Sequence, residues 1–333
     1  MQSMGTQVLF FQHIKNLLPS NISLVDVIAE QLNVSTDSAY RRIRGEKPIS
    51  FEETAKLAKQ YKLSLDKFLH LENDSFIFNG RTANDSDFTY EEWLETDVAH
   101  LEQILKLPEK HLYFLAKEIP FPYYYYIPEI AAFKSYFFKK SIINYDQMRG
   151  IKFSLDDDYH DIFLTAKKIA ASYSKIPCTE IWHEENITST LKQIEFYKIT
   201  GNIKCDSDAY IILDKLESLL THIEMQAETG KKFDYGHTPN NFSASFNMFM
   251  NEIIWGDNMI YVELGGDDNV TYINHGIINF ITTHDLVFNA NTKKTFALMA
   301  AKSTQISNVN EKDRLIFFNK MRAKIEATRK KIS

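Results

Sequence analysis

The sequence predicts a mainly α-helical chain with a smaller β part: a bundle of five short helices, then a larger α+β domain containing an antiparallel meander near 242–283. Three observations carry this. The chain has 333 residues, and at about 150 residues per domain that is room for two. Residues 6–70 divide into short apolar stripes at helical spacing, separated by capping and turn residues, whereas 242–283 switches to strand-like runs. The composition, 44% hydrophobic and 25% charged with 11 Gly and 8 Pro, excludes collagen-like and disordered classes. Aromatic content of 13% points to large cores.

The first helix is read from Phe10, Ile14, Leu17 and Leu18, one apolar stripe. Ser23 caps a second, Leu24 to Leu32. A third runs from Ser35 to Arg44 and is stopped by Gly45, with Pro48 beyond. The fourth opens with the capping box Ser50-Phe51-Glu52-Glu53 and reaches Tyr61. Ser64 starts a fifth, ending near His70. These five define a domain over 1–72. Residues 73–95, rich in Asn, Asp, Ser and Gly, read as a linker, and 96–333 as the α+β domain. There, helices are expected near 96–106, 128–141, 158–174, 187–199, 206–229 (ending at Gly230), 291–302 and 310–331. The clearest hairpin pairs Met259–Glu263 with Val270–Asn274 across Gly265-Gly266-Asp267-Asp268. No parallel-sheet pattern is read ahead of it.

The segment LVDVIAEQLNVSTDSAYRRIRG carries the most information. A helix-turn-helix needs a small residue where its helices cross, one that tolerates a left-handed backbone at the turn, an apolar residue after it, and a short second helix with an apolar inner face. Ala29, Asn33 and Val34 meet the first three needs. Thr36, Ala39, Tyr40 and Ile43 supply the inner face by spacing. Asp37, Arg41 and Arg44 then face outward, with Ser38 and Arg42 on the flanks. Arg can bond guanine O6 and N7 together, Asp accepts from cytosine N4, and Ser reads either. The N-terminal half of such a helix points at bases, which assigns base edges to Thr36, Asp37, Ser38 and Arg41. Arg42, Arg44 and Lys47 are assigned to phosphates. Residues 1–70 hold nine Lys and Arg against seven Asp and Glu, while the whole chain carries −6.

On these residues, 23–70 resemble the five-helix, lambda-repressor-like DNA-binding domain of bacterial Cro/phage-repressor-type (XRE-like) transcription regulators. That pattern has the form of IAEQLNVS, a short basic helix, Gly, Pro and a Ser-initiated helix. The resemblance implies that Ser35 to Arg42 form the recognition helix. The chain departs from the pattern at three places. Val25 stands where a phosphate-gripping polar residue is usual, Ile43 where an acid is usual, and Arg42 at an apolar position, which implies an inner face rotated by one residue. DSAYRRIRGEKPISFEE, KEIPFPYYYYIPEIAAFKSYFF and KSTQISNVNEKDRLIFFNK also resemble full-length regulators with a long uncharacterised C-terminal region. The expected function is sequence-specific DNA-binding transcription regulation by a homodimer, with 96–333 providing dimerisation and a place for an effector.

Elsewhere the bland reading is preferred. Asp156-Asp157-Asp158-Tyr159-His160-Asp161 reads as a helix start favoured by the dipole rather than a metal site. Cys178 with His183-Glu184-Glu185 lacks the spacing of a zinc or H-E-x-x-H site. The aromatic run from Pro120 to Phe138 reads as core. The basic residues of the terminal helix read as a complement to its dipole. No catalytic motif occurs, so the expectation is a protein that is not an enzyme and needs no cofactor or metal. Two rival readings are a DNA-targeted enzyme with an unrecognised C-terminal active site, for which a pocket joining two or more of His160, His183, His284, Asp285 and their neighbouring acids would speak, and a protein interaction module with a degenerate helix-turn-helix. With only two cysteines, no leader-like start and no long apolar run, a cytoplasmic protein without membrane contact is expected.

Overall fold

A computed structural model describes residues 5–19, 22–61, 63, 65, 76–80, 88–143, 146–253, 256–275 and 279–333. The chain divides into two compact units, Met1–Ile77 and Phe78–Ser333. Among the described residues it is a mixed α/β protein with twelve α-helices and one seven-stranded sheet. No helix among them is long and apolar enough to cross a membrane.

The smaller unit contains α1 (Thr6–Leu17), α2 (Leu24–Leu32), α3 (Thr36–Ile43) and α4 (Phe51–Gln60). Ser23, Ser35 and Ser50 each cap a helix by accepting a backbone N–H, and Ser50 with Glu53 closes a full capping box. Phe10, Phe11, Ile14, Ile28, Ala29, Ala39 and Leu57 form its buried core. The fifth helix expected from Ser64 to His70 lies outside the described residues.

The larger unit begins earlier than expected, which corrects the linker assigned to 73–95. Asn79 bridges to Thr282, and α5 (Tyr90–Lys106) starts at a Thr89 cap with Tyr90, Trp93 and Leu94 buried. The polar bias of 72–87 hid the period that begins at Tyr90 and continues through Leu94, Leu101 and Ile104.

Next come β1 (His111–Leu115), α6 (Phe121–Tyr124) and α7 (Pro128–Phe137), which runs on into a π-helical turn, Phe138–Ile142. Then follow α8 (His160–Tyr173), β2 (Cys178–Trp182), α9 (Thr188–Ile199) and α10 (Asp206–Thr229), capped by left-handed Gly230 at φ 60°. The chain continues through β3 (Phe246–Met250), β4 (Met259–Glu263), β5 (Val270–His275), β6 (Asn279–Thr283), α11 (Leu286–Ala301), β7 (Thr304–Gln305) and α12 (Glu311–Lys331).

The strand order is β6-β5-β4-β1-β2-β3-β7. Strands β4, β5 and β6 form the antiparallel meander, with Met259 opposite Ile273 and Thr271 opposite Thr283. The expectation that the meander spans 242–283 and that no parallel pattern precedes it needs correction. Strand β3 pairs in parallel with β2, and β2 in parallel with β1, through crossovers that carry α6 to α10. Every residue of β2 is buried, so it shows no alternation. Leu112, Phe114, Trp182, Phe246 and Met248 face the main helical layer, and Ile181 and Tyr261 face α11 through Phe296.

Within that core Glu180 is fully buried, yet its carboxylate is satisfied. It accepts from Tyr123 Oη (2.8 Å), Tyr173 Oη (2.6 Å), Trp182 Nε1 (2.7 Å) and Lys232 Nζ (3.2 Å). Lys232 Nζ also lies 3.2 Å from the Tyr173 ring centre. The aromatic run after Pro120 is accordingly core, with Tyr123, Tyr124 and Tyr125 buried.

Candidate nucleic-acid interface

Helix α2 ends at Asn33, which is left-handed at φ 55° and ψ 50°. Asn33 N–H donates to Glu30 O (3.2 Å) and Val34 N–H to Ala29 O (3.0 Å). That hydrogen-bond pair is a Schellman motif, and half-buried Val34 packs on the core beside it. Helix α3 ends the same way: Gly45 is left-handed at φ 76°, with Gly45 N–H on Arg42 O (3.0 Å) and Glu46 N–H on Arg41 O (2.9 Å). Two stops of one kind thus bound α3 before and after.

The loop after α3 is held by Gln7 of α1. Its Nε2 donates to Arg42 O and Lys47 O, both at 2.7 Å, and its Oε1 accepts from Ile49 N–H at 3.0 Å. One amide therefore satisfies three backbone groups and fixes Lys47 relative to α3. Sequence reasoning missed Gln7, because no local pattern marks a contact some forty residues away.

The inner face of α3 differs from the expected one. Ala39 and Arg42 are buried, Ile43 is half-buried, Thr36 is exposed and Tyr40 is 48% exposed. Arg42, expected at phosphates, instead makes a two-pronged pair with Glu53 of α4 (Nε–Oε2 3.0 Å, Nη2–Oε1 2.7 Å). Its Nη1 donates to Ser38 Oγ (2.5 Å) and Ser38 O (3.2 Å). The Arg42 guanidinium holds the Glu53 carboxyl below the usual carboxylate range. Arg42 thus stays inside because Glu53 supplies its counter-charge, and the inner face is Ala39, Arg42 and Ile43.

The remaining expected residues divide accordingly. Ser35 is committed to capping, accepting Ser38 N–H at 3.3 Å. Ser38 is half-buried and turned to Arg42. Thr36, Asp37, Arg41, Arg44 and Lys47 are exposed, and Tyr40 joins them. The Arg44 guanidinium lies 5.6 Å from the Tyr40 ring centre and 3.2 Å from Glu46. Arg41 has no acid partner among the described residues. The i, i+4 spacing of Tyr40 to Arg44 is a signal for that pair, but apolar periodicity placed the ring inward.

His160 and His284 are exposed and His183 is buried. Two clefts of the larger unit, one lined by Asp97 and Tyr272 and one by Asn251 and Asp313, include none of His160, His183, His284 or Asp285. Burial pushes the Cys178 thiol well up, away from thiolate chemistry. Asp158 caps His160 N–H (2.9 Å), and no metal-ready group of three His, Cys, Asp or Glu occurs among the described residues. Ligands of open α/β sheets sit beyond the carboxyl ends of parallel strands. In this sheet the loops after β1 and β2 are tied together by Asn186, which donates to Ala116 O (2.9 Å) and Glu118 O (3.1 Å).

Comparison with protein-family models, with curated proteins and with solved structures finds no match to this chain.

Proposed function

We propose that the smaller unit binds double-stranded DNA, with α3 in the major groove, and that the chain is a sequence-specific transcription regulator of the Cro/phage-repressor-like kind. The observation that carries this reading is Arg41. It is an exposed guanidinium without an acid partner among the described residues, on a helix whose start, end and roll are fixed by the Asn33 turn, the Gly45 turn and the Arg42–Glu53 pair. A preorganised, unneutralised cation is what bidentate guanine recognition needs. Asp37, Thr36 and Tyr40, also exposed on α3, complete the proposed base-reading set. Arg44 and Lys47 serve phosphates. Ser35 and Ser38 act by shaping the helix start, and Arg42 by bracing α3 on α4.

Single modules read few base pairs, so the proposal includes a homodimer, joined through the larger unit and spanning half-sites roughly 34–36 Å apart. Selection of bound fragments from random DNA by the full-length protein tests it. A palindromic motif supports the reading, and recovery of unselected DNA refutes it.

A further inference from the structure

The larger unit holds a cleft of about 490 Å³ between α5 and the β5–β6 edge of the sheet, a volume within the range of small-molecule sites. One wall is a single face of α5 with Glu92, Trp93, Asp97 and His100. The other is Tyr272 of β5 and Phe280 of β6. Gly80 lines it where the chain lies on β6, and a Cβ there would meet Ile281 Cγ2 at 2.7 Å, so close approach of the backbone depends on glycine. The aromatic side is continuous: Trp93 packs on Phe121 at 5.6 Å, Phe121 on Phe280 at 6.3 Å, and Tyr272 on Phe280 at 6.5 Å between ring centres.

Asp97 is the anomaly in this wall. It is half-buried, and its Oδ2 is sealed from solvent with no hydrogen-bond partner among the described residues. Buried polar atoms in native proteins are nearly always satisfied, so an orphan carboxyl oxygen in a ligand-sized cleft calls for a partner. The charge of the lining says which. Two carboxyl groups, Asp97 and Glu92, line the cleft, while no Lys or Arg does among the described residues. The one histidine, His100, is held toward its neutral form by burial.

We infer that this cleft binds a small organic cation, an ammonium group on an apolar or aromatic body, with Asp97 as its counter-ion and the Trp93, Tyr272 and Phe280 rings around it. Faces of aromatic rings attract ammonium groups, and a carboxylate at the end of such a cage fixes the charged head. Burial pushes the Asp97 carboxyl up to about 8, so near neutral pH the empty cleft carries a protonated acid. Binding of R-NH₃⁺ then leaves Asp97 ionised beside the ammonium and releases one proton to solvent. The other groups around Asp97 are Glu92 and His100 on α5, the phenols of Tyr90 and Tyr125, which bond each other at 3.0 Å, and Tyr272 on β5. Burial pushes all three phenols upward, so none titrates near neutrality.

The test is calorimetry on the full-length chain without DNA, using phenethylammonium and phenyltrimethylammonium against the neutral phenethyl alcohol and the anion 3-phenylpropionate. It stands apart from the DNA reading. Both cations are expected to bind and the other two are not. Cation affinity should rise about tenfold per pH unit up to about pH 8 and level off above it, with proton release visible as buffer-dependent heat. Asp97→Asn should weaken the cations at least tenfold and remove the pH dependence. Thr96→Trp, which puts a large side chain into the cleft lining and keeps the Asp97 carboxyl, should abolish binding and covers the case in which Asp97→Asn does not fold. Equal binding of alcohol and cation, unchanged binding by Asp97→Asn, or no binding of either cation at millimolar concentration would overturn the inference.

Discussion

Helices α3 and α12 are both basic, but most cations of α12 meet acids while Arg41 of α3 meets none among the described residues. On α12, Lys320 meets Glu184 (2.8 Å), Arg322 meets Glu224 (2.5 Å), Lys324 meets Glu185, and Arg329 meets Asp214 (2.7 Å). Each pair ties α12 to the preceding helices and loops, over a buried row of Phe317, Phe318, Met321 and Ile325. On α3 only Arg42 is paired in that manner. Arg44 turns to Glu46 just past the helix end, and Arg41 reaches no acid among the described residues. The sequence shows two runs of Lys and Arg with little to separate them. What separates them is the acids that folding brings alongside, so a count of charges does not tell the two helices apart while the unneutralised remainder does.

The largest expected effect breaks the one internal pair of α3. Arg42→Ala leaves Glu53, whose side chain is 21% exposed, without its counter-charge, and should cost the smaller unit about 3 kcal/mol. Hydrogen exchange of the α1–α4 amides in the full chain measures this. The double variant Arg42→Met, Glu53→Gln should recover most of the loss. A cost under about 1 kcal/mol would return Arg42 to the list of free cations.

Arg41→Ala is expected to leave those amides unchanged and to weaken selected DNA by roughly 1–3 kcal/mol, relaxing preference at one or two base pairs. Lys47→Ala should weaken all sequences alike and flatten the salt slope by about one unit. At the turn, Asn33→Gly should be tolerated, whereas Asn33→Val should cost on the order of 1–2 kcal/mol, because a β-branched side chain meets the carbonyl at positive φ. Thermal melting of the two variants decides whether α3 depends on this turn.

The larger unit provides a contrast in titration. Asp97 has a folded value of about 8, raised by burial. The stability it contributes is complete below the unfolded value near 4 and is lost as pH rises to about 8. Lys134 is also fully buried, bonded to Thr190 Oγ1 (2.8 Å) and Gln193 Oε1 (2.9 Å), and burial lowers it to about 8. Its unfolded form holds the proton more tightly, so stability rises as pH climbs from about 8 toward 10.5. Denaturant titrations of Asp97→Asn and Lys134→Met against the parent should each flatten their own window. A parent-like slope in either variant would remove that residue from the account. The smallest effect belongs to α12: Lys324→Ala should cost roughly 0–1 kcal/mol in stability and nothing in DNA affinity, since a half-exposed pair screened by solvent contributes little.

The same contrast explains what was legible in the chain. Helix caps at Ser23, Ser35 and Ser50, the left-handed Asn33 and Gly45, and the Gly265-Gly266 hairpin are local devices, and each is readable within a few residues. Strand β2 was not readable, because CTEIW is covered on both faces and keeps Glu180 in the core by means of Lys232, a residue fifty-two positions away. Arg42 was misread for the same physical reason: its acid lies on the next helix. Gln7 and the Asp97 cleft depend on distant segments meeting, which periodicity does not encode.

The most direct test of the central claim is a binding titration of the full-length protein and of Arg41→Ala on a DNA selected by the parent and on a scrambled duplex of equal length, at one fixed salt concentration. The account predicts that Arg41→Ala loses affinity for the selected DNA by about ten- to hundredfold while scrambled binding changes little. Equal loss on both duplexes, or none on either, would contradict it.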